Sequence, residues 1–328
     1  MLSLSGPEDP NFDSYVMDEF AGGNYDAEEQ IAAFYAMIVD KLGDDVTLIA
    51  GARFESTSIN YTGQVFDEEE DELPSDIGSV SGGNDYYNIL PNLTLQWDVN
   101  DELNLNIAFT QSIARPSYYD LVRYEYSNSD DQELALGNPD LKSSLSTNFD
   151  FMGEWYFGGL SLLSFGYFSK DIKDWIYQYT TNNYTYAGVD GYELSQLRNG
   201  EKANVSGFEL GFQTKFLKNF TFMGNYTSTD SSTNNVEGRD DVPLTGQVDD
   251  MYNLSLAFEN KKFFVRASMN YASEALDELS GDAYEDRYYD EQTFLDVNAN
   301  YKVNDNLSIF AEGKNLTNCL LYTSPSPR

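Results

Sequence analysis

The 328 residues carry 55 acidic against 19 basic side chains, a net charge of -36, with no histidine and one cysteine, Cys319. That charge repels phosphates and excludes nucleic acid as a partner. The missing histidine excludes a Ser-His-Asp site, a His-assisted thiol nucleophile and a His-ligated zinc.

Alternation of apolar and polar residues predicts strands, in chain order, at Gln30–Asp40, Asp45–Tyr61, Tyr86–Val99, Glu102–Ser112, Ser144–Phe157, Leu160–Tyr179, Ala203–Phe216, Asn219–Ser228, Asp249–Phe258, Lys262–Ala272, Glu291–Val303 and Asn306–Lys314. Tight connections at Lys41–Asp44, Asn100–Asp101, Gly158–Gly159, Leu217–Lys218, Glu259–Lys261 and Asn304–Asp305 supply residues suited to turns. Between these pairs run long polar loops, Gly63–Asp85, Ile113–Ser143, Thr180–Lys202, Thr229–Val248 and Ser273–Asp290, the last with no strand period. Short turns at one end and long loops at the other predict an all-β fold, an antiparallel up-and-down transmembrane β-barrel of about twelve strands with short periplasmic turns and long extracellular loops. All the long loops should therefore share one end.

The faces agree with a membrane wall. Phe208, Leu210, Phe212, Leu254, Leu256, Val265, Met269, Leu295 and Val297 should face lipid, and Glu209, Gln213, Arg266, Asp296 and Asn298 the lumen. The register of Leu160–Phe168 stays open, because both faces are apolar. Aromatics gather near the short turns (Trp97, Trp155, Phe216, Phe220, Phe258, Phe263, Tyr301) and near the long loops (Tyr61, Phe109, Tyr226, Tyr252, Tyr271). Phe263 to Tyr271 spans roughly 26 Å at ~3.3 Å per residue, or roughly 19 Å when tilted by about 45°, close to the apolar band between two aromatic girdles. A soluble sandwich also alternates, but its strands are shorter. Asn-x-Ser/Thr triplets such as Asn92-Leu93-Thr94 follow from the same alternation. The acidic runs Asp67–Glu72 and Asp277–Asp290 lack calcium-loop spacing and read as solvated loops. No metal, cofactor or catalytic pair is expected.

The densest motif is Gln111-Ser112-Ile113-Ala114-Arg115-Pro116-Ser117-Tyr118-Tyr119-Asp120-Leu121, followed by Gly137-Asn138-Pro139-Asp140-Leu141-Lys142. Pro116 ends ladder pairing where the fourth strand leaves the sheet. Together these resemble the strand–loop–strand unit of TonB-dependent outer-membrane receptors. Gly51-Ala52-Arg53-Phe54-Glu55, Glu154-Trp155-Tyr156-Phe157, the Gly166–Ile176 run, the Asn199–Glu209 run and Lys314-Asn315-Leu316-Thr317-Asn318 resemble the same family in the same order, over nearly all of residues 27–318. The resemblance implies a bacterial outer-membrane receptor that binds a scarce nutrient (siderophore-bound iron, cobalamin or an oligosaccharide) and imports it with energy delivered through TonB. It also implies a plug in the lumen, for which Gly207 and Gly211 would leave room. The alternatives are a passive porin-like channel or an adhesin; an outer-membrane hydrolase is disfavoured by the missing histidine.

Against that family, residues 27–318 read as a partial barrel, about twelve of roughly 22 strands. Residues 1–26 read as part of an outer loop, and the plug and TonB-contacting segment as absent. Residues 319–328 depart abruptly in composition and look like the translation of a sequencing adapter. Expected partners are TonB, through the segment not seen here, the nutrient and outer-membrane lipid. Ligand contacts, if the loops make them, are expected at Arg115, Tyr118, Tyr119, Asp120, Arg123 and Tyr124, since aromatics and arginine at a loop rim suit a polar, ring-bearing ligand.

Overall fold

The computed structural model describes residues 24–65, 78–122, 124–128, 131–234, 236–280 and 283–319. Its elements are β1 (Tyr25–Lys41), β2 (Val46–Val65), β3 (Gly78–Asn100), β4 (Leu103–Ala114), α1 (Tyr118–Leu121), β5 (Glu125–Asn128), β6 (Glu133–Leu136), β7 (Ser144–Phe157), β8 (Ser161–Lys173), β9 (Ile176–Tyr186), β10 (Val189–Asn199), β11 (Lys202–Phe216), β12 (Phe220–Asn234), β13 (Asp250–Glu259), β14 (Phe263–Ala272), β15 (Ala275–Ser280), β16 (Arg287–Tyr289), β17 (Gln292–Asn304) and β18 (Leu307–Gly313).

The principal sheet has twelve strands in the order β1-β2-β3-β4-β7-β8-β11-β12-β13-β14-β17-β18. Every neighbouring pair is antiparallel. A meander of this kind puts every second connection at the same end, so all the long loops share one end, opposite the short turns, as expected.

Register fixes the faces. Leu210 opposes Tyr226, Phe222 opposes Leu256, and Leu254 opposes Met269, which in turn opposes Leu295. On the other face Asn225 opposes Asn253, Ser255 opposes Ser268, and Arg266 opposes Asn298. Leu163, Phe165 and Tyr167 pair with Phe212, Leu210 and Phe208, so they join the apolar face and the open register is decided. Phe168 falls on the polar face, where it lies over Gly207: a Cβ there would sit 2.6 Å from Phe168 Cζ. A Cβ at Gly211 would meet Ser164 Oγ at 2.3 Å. The space at these glycines is therefore taken up within the sheet itself, which corrects the expectation that they leave lumen room.

Pro91 lies inside β3, yet β3 pairs with β4 only from Asn92 onward. Proline has no N–H to give a ladder, so it stands where the β3–β4 ladder stops, while β4 itself runs on to Ala114 against β7. Beyond it β1, β2 and β3 extend together as a three-stranded flap, with β2 and β3 running past the predicted ends at Tyr61 and Tyr86.

The long loops are not patternless. They build a second, six-stranded sheet in the order β16-β15-β9-β10-β6-β5. Two of its pairs are parallel, β10 with β6 and β15 with β9. The predicted strand Leu160–Tyr179 breaks in two: Asp174 turns left-handed at φ 51° and the chain enters β9 in the second sheet. Ser273–Asp290, expected to lack strands, carries β15 and β16.

The buried clusters lie at this loop end. One joins Trp175, Tyr177, Ala203, Val236, Leu276 and Leu279, another Ile59, Tyr61, Leu121, Val122 and Leu141. The apolar face of the principal sheet has no such cover: Leu93 is 48% exposed, Leu254 40% and Leu256 45%. An apolar surface this extensive is stable only against another apolar phase, as in a membrane barrel.

Candidate functional site

The site begins where β4 leaves the sheet. Pro116 follows Arg115, and Ser117 caps α1: its Oγ accepts from the Asp120 N–H at 3.3 Å and donates to Asp120 Oδ2 at 2.6 Å. Arg115 turns over the polar face of the neighbouring strands. Its Nη2 donates to Glu55 Oε2 at 2.5 Å and to Thr57 Oγ1 at 3.3 Å, and its Nε stands 3.7 Å from Glu29 Oε1. Arg53 reaches the other oxygen of Glu55 at 2.5 Å. Two guanidiniums thus bracket one buried carboxylate, a charge-assisted arrangement that fixes all three side chains.

Tyr118 donates to Glu29 Oε2 at 3.1 Å, which holds its phenol above the ordinary tyrosine value. Tyr119 stacks on Tyr124 with ring centroids 4.2 Å apart and leans on Tyr25 at 5.9 Å. Burial pushes the Tyr124 phenol up to about 12. Leu121 is buried in the cluster with Ile59 and Tyr61. Of the expected ligand contacts, Tyr118 and Tyr119 present open surface, 43% and 38% exposed, while Arg115 is committed to carboxylates. Asp120 lines a small cavity of about 90 Å³ with Tyr124, Gln178, Ser195 and Gln196. Arg123 lies outside the described residues.

The Gly137–Lys142, Gly166–Ile176 and Asn199–Glu209 segments meet beside it. The Asn138 N–H donates to Asp120 O at 2.8 Å, and Asn138 Nδ2 donates to Leu197 O in β10 at 2.9 Å. Gly137 N–H donates to Tyr124 O at 3.0 Å, and a Cβ at Gly137 would lie 1.8 Å from Val122 O. Only glycine fits so close to backbone. Asn199 ties three loops at once: its Oδ1 accepts from the Lys142 N–H at 2.8 Å, and its Nδ2 donates to Lys142 O at 3.0 Å and Asp174 O at 2.7 Å. Gly200 lies against Trp175, whose Nε1 would be 2.1 Å from an added Cβ.

A second set of contacts fastens the remaining loops. Arg198 donates to Glu237 Oε1 at 2.9 Å and lies 3.7 Å over the Tyr179 ring. Burial, then its hydrogen bond to Glu237, pushes the Tyr177 phenol upward. Arg239 forks onto Asp286 at 2.8 and 3.2 Å and reaches Ser280 O at 3.1 Å. Sequence reasoning missed this interlocking, although its members, Asn138, Asn199 and Trp175, stand inside the motifs themselves. Among the described residues no group of His, Cys, Asp or Glu is arranged to hold a metal ion. The arrangement can hold loops in register and offer tyrosine rings to a ligand. On the polar face of the sheet, Ser164, Gln213, Asn225, Asn253 and Arg266 line a cavity of about 440 Å³.

Residues 3–316 match the family model described as TonB dependent receptor-like, beta-barrel. Comparison with curated proteins gives no significant match. Among solved structures, the ferric-catecholate import receptor Fiu of E. coli K12 superposes with a TM-score of 0.66 at 16% identity, over 89% of this chain and 41% of that one. A ferric enterobactin receptor (PfeA) mutant of Pseudomonas aeruginosa superposes at 0.58 and 17%, over 89% and 48%. The ferric yersiniabactin uptake receptor FyuA of Yersinia pestis gives 0.63 and 14%, over 89% and 41%. At these identities the likeness is one of fold. The chain spans less than half the length of each of these proteins.

Proposed function

Because this chain belongs to the TonB-dependent receptor β-barrel family, we propose that it forms barrel wall and outer loops of a receptor that imports a scarce nutrient across the bacterial outer membrane, with energy delivered through TonB. The observation that carries the reading is the interlocked loop end, where the family-like motif residues meet over the polar face of a lipid-exposed sheet. A polar, ring-bearing ligand such as an iron-loaded siderophore suits the exposed rings of Tyr118 and Tyr119, since an aromatic ligand stacks on tyrosine and its polar groups meet phenol hydroxyls. The solved neighbours named for ferric siderophores support that ligand class. Arg115 acts there by holding Glu55 and Glu29, Tyr124 by stacking on the Tyr119 ring, and Asp120 by holding Ser117 at the start of α1.

The test is uptake. The gene, with its genomic flanks, is expressed in cells lacking their own siderophore receptors, and entry of radiolabelled ferric catecholate is followed with TonB present and deleted. TonB-dependent uptake that falls about tenfold or more in Y118A/Y119A is expected, a loss of roughly 1.4 kcal/mol or more. Uptake independent of TonB would favour the passive channel, and uptake unchanged in the variant would return both tyrosines to a structural role.

A further inference from the structure

The turn joining β11 to β12 is built from unsuitable residues. Leu217 and Lys218 both take left-handed backbone, φ 47° and 65°, which side chains disfavour. The turn joining β7 to β8 has the same span between paired residues, and it fills the two left-handed positions with Gly158 and Gly159 at φ 56° and 82°. The strained turn instead carries a leucine that is 78% exposed and an exposed lysine. Strain kept at such a position points to function.

Its surroundings say what the function is. In a chain of net charge -36, this end of the sheet divides by sign. Lys215 and Lys218 stand at the β11–β12 turn and Lys261 and Lys262 at the β13–β14 turn, and the two turns share one acid, Glu259, whose N–H donates to Asn219 O at 2.8 Å. The β1–β2 and β3–β4 turns are acidic, with Asp40, Asp44, Asp45, Asp98, Asp101 and Glu102 against Lys41. Immediately above the basic turns, on the apolar face, Phe216, Phe220 and Phe258 form a continuous aromatic shelf with centroids 5.5 and 5.0 Å apart. Above the shelf these strands and β8 hold an apolar groove of about 500 Å³, lined by Leu163, Leu210, Phe212, Phe222 and Leu254 and floored by Gly224. Positive charge, then aromatics, then an apolar trough is the order of headgroup, interface and acyl chain in a bilayer leaflet.

We propose that the β11–β14 arc is a binding site for an anionic phospholipid of the inner leaflet, its headgroup on Lys218 and Lys261 and an acyl chain in the groove over Gly224; this rests on the membrane-barrel reading. Leu217 dips into the interface beside the headgroup while Lys218 meets its phosphate.

The full chain is inserted into nanodiscs of phosphatidylcholine and phosphatidylglycerol, extracted in mild detergent, and the retained lipids are counted by native mass spectrometry. Phosphatidylglycerol should be retained several-fold above its share of the bilayer. K218Q/K261Q should bring the two lipids to parity, and G224L should lower retention of both. L217G/K218G relieves the turn and should insert normally, yet lose the preference. Parity in the unsubstituted chain, or a preference that survives K218Q/K261Q, would overturn the proposal and leave the barrel reading standing. Failure to enter bilayers of either composition would overturn both.

Discussion

Gly137 shows how tightly single residues set the loop end. Its missing side chain lets the Gly137–Pro139 turn close against Val122 O, where a Cβ would stand at 1.8 Å. G137A must push the two loops apart, at about 1–3 kcal/mol of overpacking. Limited proteolysis should then cut between β4 and β7 while the principal sheet stays intact, and loops as resistant as before would contradict the packing described. Tyr124 offers a test in pH. An unfolded tyrosine ionises near 10, and burial holds this one to about 12. Between those values the folded state keeps a proton that the unfolded state has lost, so stability falls as pH rises. The contribution is complete below pH 10 and is lost through about 12. Phenolate absorbance of the folded protein, compared with Y124F, should reveal one late-ionising tyrosine; a Tyr124 that titrates with the exposed phenols would show that it is not buried.

At the level of elements, the principal sheet was legible because a membrane strand has one apolar and one polar face, and its alternation survives in sequence. Its twelve strands were found, with the ends misplaced most where strands run into the loop end: β3 begins at Gly78 where Tyr86 was expected, and β12 ends at Asn234 where Ser228 was expected. The second sheet was not legible. β15 is buried on both sides along most of its length, so Ala275–Ser280 shows no alternation. β5 and β6 have four residues each, and β6 and β15 find parallel partners far along the chain. The break at Asp174 was hidden because alternation resumes at once in β9. Of the candidate site, the residue types at Ser117–Leu121 and Gly137–Asn138 were visible, while their mutual contacts required the loops to be folded. The faces make a sharp prediction. Leu256 is 45% exposed on the apolar side, and Ser255, its neighbour, opposes Ser268 on the polar side. L256R should destabilise the sheet in lipid by roughly 2–4 kcal/mol if it lies near the midplane, and S255R by much less. Urea titration of protein folded into vesicles measures both, and equal losses would contradict the assignment of faces.

As a whole the molecule is an inversion of a soluble protein. Its buried clusters sit among the loops, and its widest sheet leaves one face apolar and exposed. That division makes sense only if the sheet spans lipid and the loop end stands in water, with the short turns on the far side. The most direct measurement is the sidedness of the two ends. With Cys319 replaced by serine, single cysteines are placed by Ala187→Cys and Asp241→Cys in the loops, and by Lys261→Cys and Asp305→Cys in the short turns. Intact cells expressing the gene with its genomic flanks are then treated with a membrane-impermeant maleimide. The loop positions should label in intact cells, and the turn positions only after the outer membrane is opened. Equal labelling of both ends from outside, or labelling of the turns alone, would contradict a barrel wall with its loops facing the medium.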